Sequence, residues 1–181
     1  MLALAGCERA GDSAFQLTDV TGVDFGKELN LTDHHGQPRT LQDFRGKVVA
    51  IFFGYTHCPD VCPTTMADLA SVAASLGPQA DKFQVLFVTV DPARDTREVL
   101  AQYVPAFNPT FVGLYGDAAA TARAAKSFKV FFQQQGSGDN YAVDHAAGTY
   151  ILDQQGRLRL FAQDGAGAPA LLHDIRLLLG S

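Results

Sequence analysis

The stretch Phe52-Phe53-Gly54-Tyr55-Thr56-His57-Cys58-Pro59-Asp60-Val61-Cys62-Pro63 constrains this chain more than any other part of it. It begins inside a continuous apolar run at 48–53, β-branched and aromatic, which predicts a strand buried on both faces of a sheet. It ends at 64–76, where Met66, Leu69, Val72, Ala73 and Leu76 recur at helical spacing before Gly77-Pro78 stops the pattern. Two thiols therefore occupy a strand-to-helix turn. There the helix N–H groups and dipole favour thiolate over thiol, so at least one cysteine is expected to be reactive. With Cys62 in the first helical turn, the pair can close a disulfide or share one soft metal ion, and spacing alone does not choose. A static staple or two small buried hydrophobes is the bland alternative. Against it stands a turn flanked by Pro59, Pro63, His57 and Asp60.

The rest of the chain supplies a frame for that turn. Segment 15–44 reads as short strands and turns, with alternation over 29–33 and a turn at 34–38. A second buried strand is expected at 83–90, then a helix at 97–106 capped by Asp95 or Thr96, a strand at 111–115 and a helix at 118–128. A hairpin at 149–153 and 157–161 and a helix at 168–179 complete the pattern. Strands alternating with helices imply an α/β sheet built from βαβ units, with helices on both faces. This layout resembles that of thioredoxins. At 181 residues one domain with a sizeable core is expected. His34 and His35, adjacent on a turn tip, are expected to be solvated and without a metal role, and His173 to be an ordinary helical residue.

The formal charge of −5 and the lack of Lys/Arg clusters argue against a nucleic-acid partner. No apolar run approaches the roughly 18 residues of a membrane span. The start of the chain nevertheless points to a membrane. Leu4-Ala5-Gly6-Cys7 resembles the end of a bacterial lipoprotein signal, although the basic n-region is missing. Lipidation of Cys7 accounts for an odd cysteine count and would tether the domain at a membrane outside the reducing cytoplasm. The organisation expected is a signal remnant and tether at 1–14 and a folded domain at 15–181.

The segment Tyr141-Ala142-Val143-Asp144-His145-Ala146-Ala147-Gly148 reads as the loop entering the last hairpin. In a thioredoxin-like sheet this loop faces the cysteine turn and normally carries a cis proline. Here no proline occurs, and His145 offers a metal-ligating imidazole in its place.

Gly46-Lys47 leading into the cysteine stretch, then Val90-Asp91-Pro92-Ala93-Arg94-Asp95-Thr96, then Tyr141-Ala142-Val143-Asp144-His145 together resemble the Sco/SenC family of copper chaperones, in order from about residue 15 to the C-terminus. The resemblance implies a thioredoxin-like central sheet with flanking helices and an added N-terminal β-hairpin region. It implies Cys58, Cys62 and His145 as ligands of one copper ion, Cu(I) or Cu(II). It also implies a membrane-anchored protein that supplies copper or reductant to the binuclear copper A site of cytochrome c oxidase. For this chain that means the bacterial periplasm and the inner membrane, with the copper A subunit and another periplasmic copper carrier as partners.

Elementary coordination chemistry agrees with that ligand set. Two thiolates and an imidazole make a soft three-donor site suited to Cu(I), whereas Zn²⁺ prefers four ligands. Asp60 and Asp144 are candidates for hydrogen bonds that fix the imidazole or tune the site's charge, with Asp91 a weaker candidate that could equally be a turn or helix cap. The same thiols, redox-active, would serve a thiol-disulfide oxidoreductase that reduces the cysteines of the copper A subunit, so enzyme activity is left open. A peroxidase fits less well, because it would want an isolated reactive cysteine.

Overall fold

All seven residues of strand β4 (Val48–Gly54) and all seven of β5 (Phe83–Thr89) are buried, as their unbroken apolar runs require. They pair in parallel, Val48 opposite Phe83 and Gly54 opposite Thr89, at the centre of the sheet. This is a computed structural model, and it describes residues 14–138, 141–146 and 148–180. Cys7 and most of the expected tether lie outside the described residues.

The other strands are β1 (Thr18–Asp19), β2 (Asn30–Asp33), β3 (Pro38–Thr40), β6 (Val112–Tyr115), β7 (Phe132–Gln135), β8 (Ala142–His145), β9 (Gly148–Leu152) and β10 (Leu158–Gln163). The helices are α1 (Val61–Ser75), α2 (Arg97–Phe107), α3 (Ala118–Ser127) and α4 (Gly167–Leu179). Eight strands form one sheet in the order β1-β10-β9-β4-β5-β6-β2-β3. Parallel β4, β5 and β6 are connected through α1 and α2, while β9 and β10 continue the sheet antiparallel. The arrangement is thioredoxin-like, with flanking helices and the β2–β3 hairpin added at one edge.

Register explains why distant segments meet. β4 runs parallel to β5 and antiparallel to β9, with Phe52 opposite Thr149. The end of β4, the end of β5 and the start of β9 therefore share one end of the sheet. The cysteine turn, the segment 90–96 and the strand that ends at His145 all open there.

Three local readings differ from the sequence expectation. α1 begins at Val61, three residues earlier than expected, because a proline in the first turn needs no intrahelical N–H bond and Pro63 is tolerated. Segment 141–146 is not simply a loop. β7 and β8 pair in a separate two-stranded sheet, Phe132 opposite His145, so the histidine ends a strand. His34 is buried instead of solvated, because its turn folds onto β6 and its Nδ1 accepts the Gly113 N–H at 2.9 Å. Burial lowers its pKa, with the neighbouring His35 adding to the effect.

At the other end of the chain, Asp174 of α4 is fully buried and accepts the Gln16 and Leu17 N–H groups at 3.0 and 2.8 Å. The N-terminal segment is thereby fastened to the last helix.

Candidate metal centre

The cysteine turn hangs from β4 and is fixed from below by Asp95. This fully buried carboxylate accepts the Thr56 N–H at 3.0 Å, the Thr56 hydroxyl at 2.6 Å and the Thr89 hydroxyl at 2.6 Å. Burial raises its pKa while the threonine bonds pull against that rise. Thr96, not Asp95, caps α2 through its side chain, which frees Asp95 to point inward. His57, more than half exposed, places Nδ1 3.1 Å from the Thr56 hydroxyl and 3.9 Å from Asp95. Cys58 N–H donates to the Tyr55 carbonyl at 3.2 Å, closing the turn.

Gly54 makes room for sulfur. A Cβ there would lie 2.9 Å from Cys62 Sγ and 2.7 Å from the Phe52 ring, so any larger residue would displace one of them. Cys62, on the first turn of α1, is fully buried against this slot, while Cys58 is half-buried; both are free thiols. Burial pushes the Cys62 thiol well up, and proximity to Cys58 adds to it. For Cys62, then, the expected thiolate bias of the helix terminus loses to desolvation, since a buried charge costs more than one helix dipole returns.

His145 comes to this turn from β8. Its Nε2 lies 3.8 Å from Cys62 Sγ, and its Nδ1 lies 3.2 Å from the Val143 carbonyl. A carbonyl only accepts, so Nδ1 carries the proton and the Nε2 lone pair is presented to sulfur. The imidazole stands edge-on to Tyr55 at 5.7 Å and to Phe52 at 6.4 Å. These rings wall the donors with apolar surface.

Cys58 Sγ accepts the Cys62 N–H at 3.5 Å. In this arrangement no three His, Cys, Asp or Glu side chains close on a common point among the described residues. Cys62 and His145 face each other, and Cys58 stands on the same turn with its sulfur directed at the helix N-terminus. The donor set, two sulfurs and an unprotonated imidazole nitrogen in a partly dry setting, fits a soft monovalent ion.

The three aspartates lie elsewhere than against the imidazole. Asp60 is exposed and precedes α1, its carbonyl accepting both the N–H and the hydroxyl of Thr64. Asp144 is exposed, on the opposite face of β8 from His145. Asp91 is buried and accepts the Tyr141 hydroxyl at 2.6 Å and Arg94 Nε at 2.5 Å. His35 is exposed on the β2–β3 turn, and His173 is paired with Asp174 on α4. Sequence reasoning passed over Gly54, Tyr55, Asp95, Arg94 and Tyr141 as parts of the site. The run Val90 to Thr96 was conspicuous, but an Asp-Thr before a helix reads as a cap.

Known proteins resemble this chain in sequence and fold. A family model described as SCO1/SenC matches residues 14–180. The mitochondrial SCO2 homolog of Mus musculus is 35% identical over 153 residues, which is 82% of this chain and 60% of the relative, so the chain spans less than two thirds of that protein's length. The structure of Bradyrhizobium japonicum ScoI with copper bound matches with a TM-score of 0.79 at 35% identity, covering 86% of this chain and 99% of that one. Yeast Sco1 with copper bound matches with a TM-score of 0.79 at 29% identity, covering 88% and 90%.

Proposed function

The chain belongs to the SCO1/SenC family, and we propose that it is a metallochaperone that takes copper on Cys58, Cys62 and His145 and supplies it to the binuclear copper A site of cytochrome c oxidase during assembly. The observation that carries this reading is the 3.8 Å approach of Cys62 Sγ to His145 Nε2, across 83 residues of sequence, beside a second thiol. Copper is cargo here. The similar Bradyrhizobium and yeast structures hold copper, which supports the same cargo for this chain.

Loading asks little of the fold. Cys58 would give up the Cys62 N–H and turn its sulfur toward the other two donors. Both thiols lose their protons as the ion binds, and His145 contributes Nε2 without rearranging its Nδ1 bond. Release follows by ligand exchange when a partner's thiolates compete. In this reading exposed Asp60, just before α1, would contribute negative charge near the cysteine turn, Asp91 would hold neighbouring groups, and the Val143 carbonyl would fix the imidazole.

A thiol-disulfide oxidoreductase is the second reading, favoured by the unequal exposure of the two free thiols. Half-buried Cys58 as thiolate would attack a target disulfide, and Cys62 would then displace the target's second thiolate. The target gains two electrons and a Cys58–Cys62 disulfide forms. The cysteines of the copper A subunit are the target in this reading.

The domain, 15–181, would be held by lipidated Cys7 to the periplasmic face of the inner membrane, receiving copper from another periplasmic carrier. Cys7→Ser should release the protein from membranes without altering copper binding.

Thermal unfolding of the reduced and the disulfide-bonded protein, each with and without copper under anaerobic conditions, tests the copper reading. Reduced protein should bind about one ion and gain about 2.7 kcal/mol at a hundredfold excess of free metal over Kd. Equal stabilisation of the disulfide form would overturn the thiolate site, since only His145 of the assigned donors would remain.

A further inference from the structure

The histidine reaches the cysteine turn on a hairpin that belongs to no part of the main sheet. What holds it there is the segment after β5. The Tyr141 hydroxyl, four residues before His145, donates to Asp91 Oδ1 at 2.6 Å. Arg94 donates from Nε to Asp91 Oδ2 at 2.5 Å and from Nη1 to the Tyr141 carbonyl at 3.0 Å. Its guanidinium carbon also lies over the Tyr141 ring, 3.6 Å from the centroid, and 5.8 Å from the centroid of Tyr55 on the cysteine side. The path continues inward without a break. Asp91 N–H donates to the Thr89 hydroxyl at 2.9 Å, the Thr89 hydroxyl donates to Asp95, and Asp95 holds Thr56 of the cysteine turn.

We propose that Asp91, Arg94 and Tyr141 form a clamp that positions the histidine hairpin over the cysteine turn, so that His145 stays within reach of the copper held by Cys58 and Cys62. The inference rests on the copper reading above and deepens it, giving Asp91 a defined partner set and adding Arg94 and Tyr141, which that reading does not use. The Tyr141–Asp91, Arg94–Asp91 and Arg94–Tyr141 bonds go to neither cysteine nor to the His145 side chain. The clamp adds a polar tie between two segments that also meet where Cys62 Sγ approaches His145 Nε2 and where the imidazole packs on Tyr55 and Phe52. An arginine suits the task because its planar fork can bond a carboxylate and a carbonyl while stacking on an aromatic face, which a lysine cannot do.

Two variants test the clamp. Tyr141→Phe keeps the ring under the guanidinium and removes only the hydroxyl; Arg94→Lys keeps the charge and removes fork and stack. Two readouts are taken on each: hydrogen exchange of amides 142–145 in the metal-free reduced protein, and copper affinity with nitrogen coupling in the EPR spectrum of the Cu(II) form. Arg94→Lys should speed hairpin exchange and weaken copper binding by about tenfold or more each, with loss of nitrogen coupling and retention of the sulfur-to-copper absorption. Tyr141→Phe should move both readouts in the same direction by less. It decides the matter alone if Arg94→Lys fails to fold.

Parental exchange and affinity in Tyr141→Phe and Arg94→Lys, with weakened binding in His145→Ala, would overturn the clamp and leave the copper reading standing. Weaker binding without faster hairpin exchange would also overturn it, because the effect would not act through position. If His145→Ala bound copper like the parent, the copper reading would fail, and the exchange rates would still decide whether the clamp holds the hairpin.

Discussion

The two halves of the metal centre are built differently. The cysteine turn grows from β4, every residue of which is buried, and is fastened by the triply bonded Asp95. The histidine ends a two-stranded sheet in which β7 is exposed for three of its four residues and β8 buries only Val143. A lone hairpin of that size is marginal in water, so its place depends on side-chain attachments. The cysteine turn is thus fixed by the core, and the histidine hairpin is the adjustable half. In the copper-chaperone function proposed above, that asymmetry would separate capture from release, the thiolates retaining the ion while the histidine leaves first.

The largest effects should come from removing donors outright. Cys58→Ser or Cys62→Ser should weaken Cu(I) binding by about a hundredfold or more in chelator competition, and His145→Ala by less, about tenfold to a hundredfold. A His145→Ala loss as large as the cysteine losses would contradict the division into fixed and adjustable halves. Next, Asp95→Ala orphans the Thr56 N–H and the Thr89 hydroxyl and should cost about 3 kcal/mol in denaturant unfolding, with hairpin exchange changed less than in Arg94→Lys. Gly54→Ala should cost about 1–3 kcal/mol and disturb the Cys62 sulfur but not the hairpin, readable as a shifted charge-transfer band.

His34→Ala removes the acceptor of the Gly113 N–H and should cost about 1–2 kcal/mol while leaving copper affinity at the parental value; His35→Ala should do little to either. pH acts on the site and on the fold separately. Because burial raises the Cys62 pKa, copper must displace its proton, and affinity should climb with pH by up to about tenfold per unit for each proton released. Far from the site, burial would raise the Asp153 pKa, but the Arg157 N–H and guanidinium bonds bring it below 3.8. A depressed carboxylate contributes stability above its unfolded pKa and loses it as pH falls through the folded value. Asp153→Asn should therefore flatten acid unfolding below about pH 4 and leave the copper profile unchanged.

The same contrast explains what could be read in advance. β4, β5 and the cap of α2 were legible because unbroken apolar runs and a Thr before a helix declare themselves locally. That His145 would meet the cysteine turn was legible from residue type, position and family resemblance, and the structure brings it to Cys62. The β7–β8 hairpin was not, since Gln133, Gln134 and Gln135 show no alternation and the strand exists only by pairing with residues beyond an intervening turn. Asp95 and Arg94 sat in a stretch already recognised, yet their partners, Thr56 and Tyr141, lie 39 and 47 residues away. His34 was misjudged as solvated for the same reason: a turn's sequence does not say which strand it will fold against.

X-ray absorption at the copper edge of the reduced, Cu(I)-loaded protein tests the central claim most directly, because it counts sulfur and nitrogen neighbours without a spectroscopically visible oxidation state. Two sulfur donors and one imidazole nitrogen are expected in the parent, and two sulfurs without that nitrogen in His145→Ala. An imidazole contribution that survives His145→Ala, or a single sulfur in the parent, would contradict that claim.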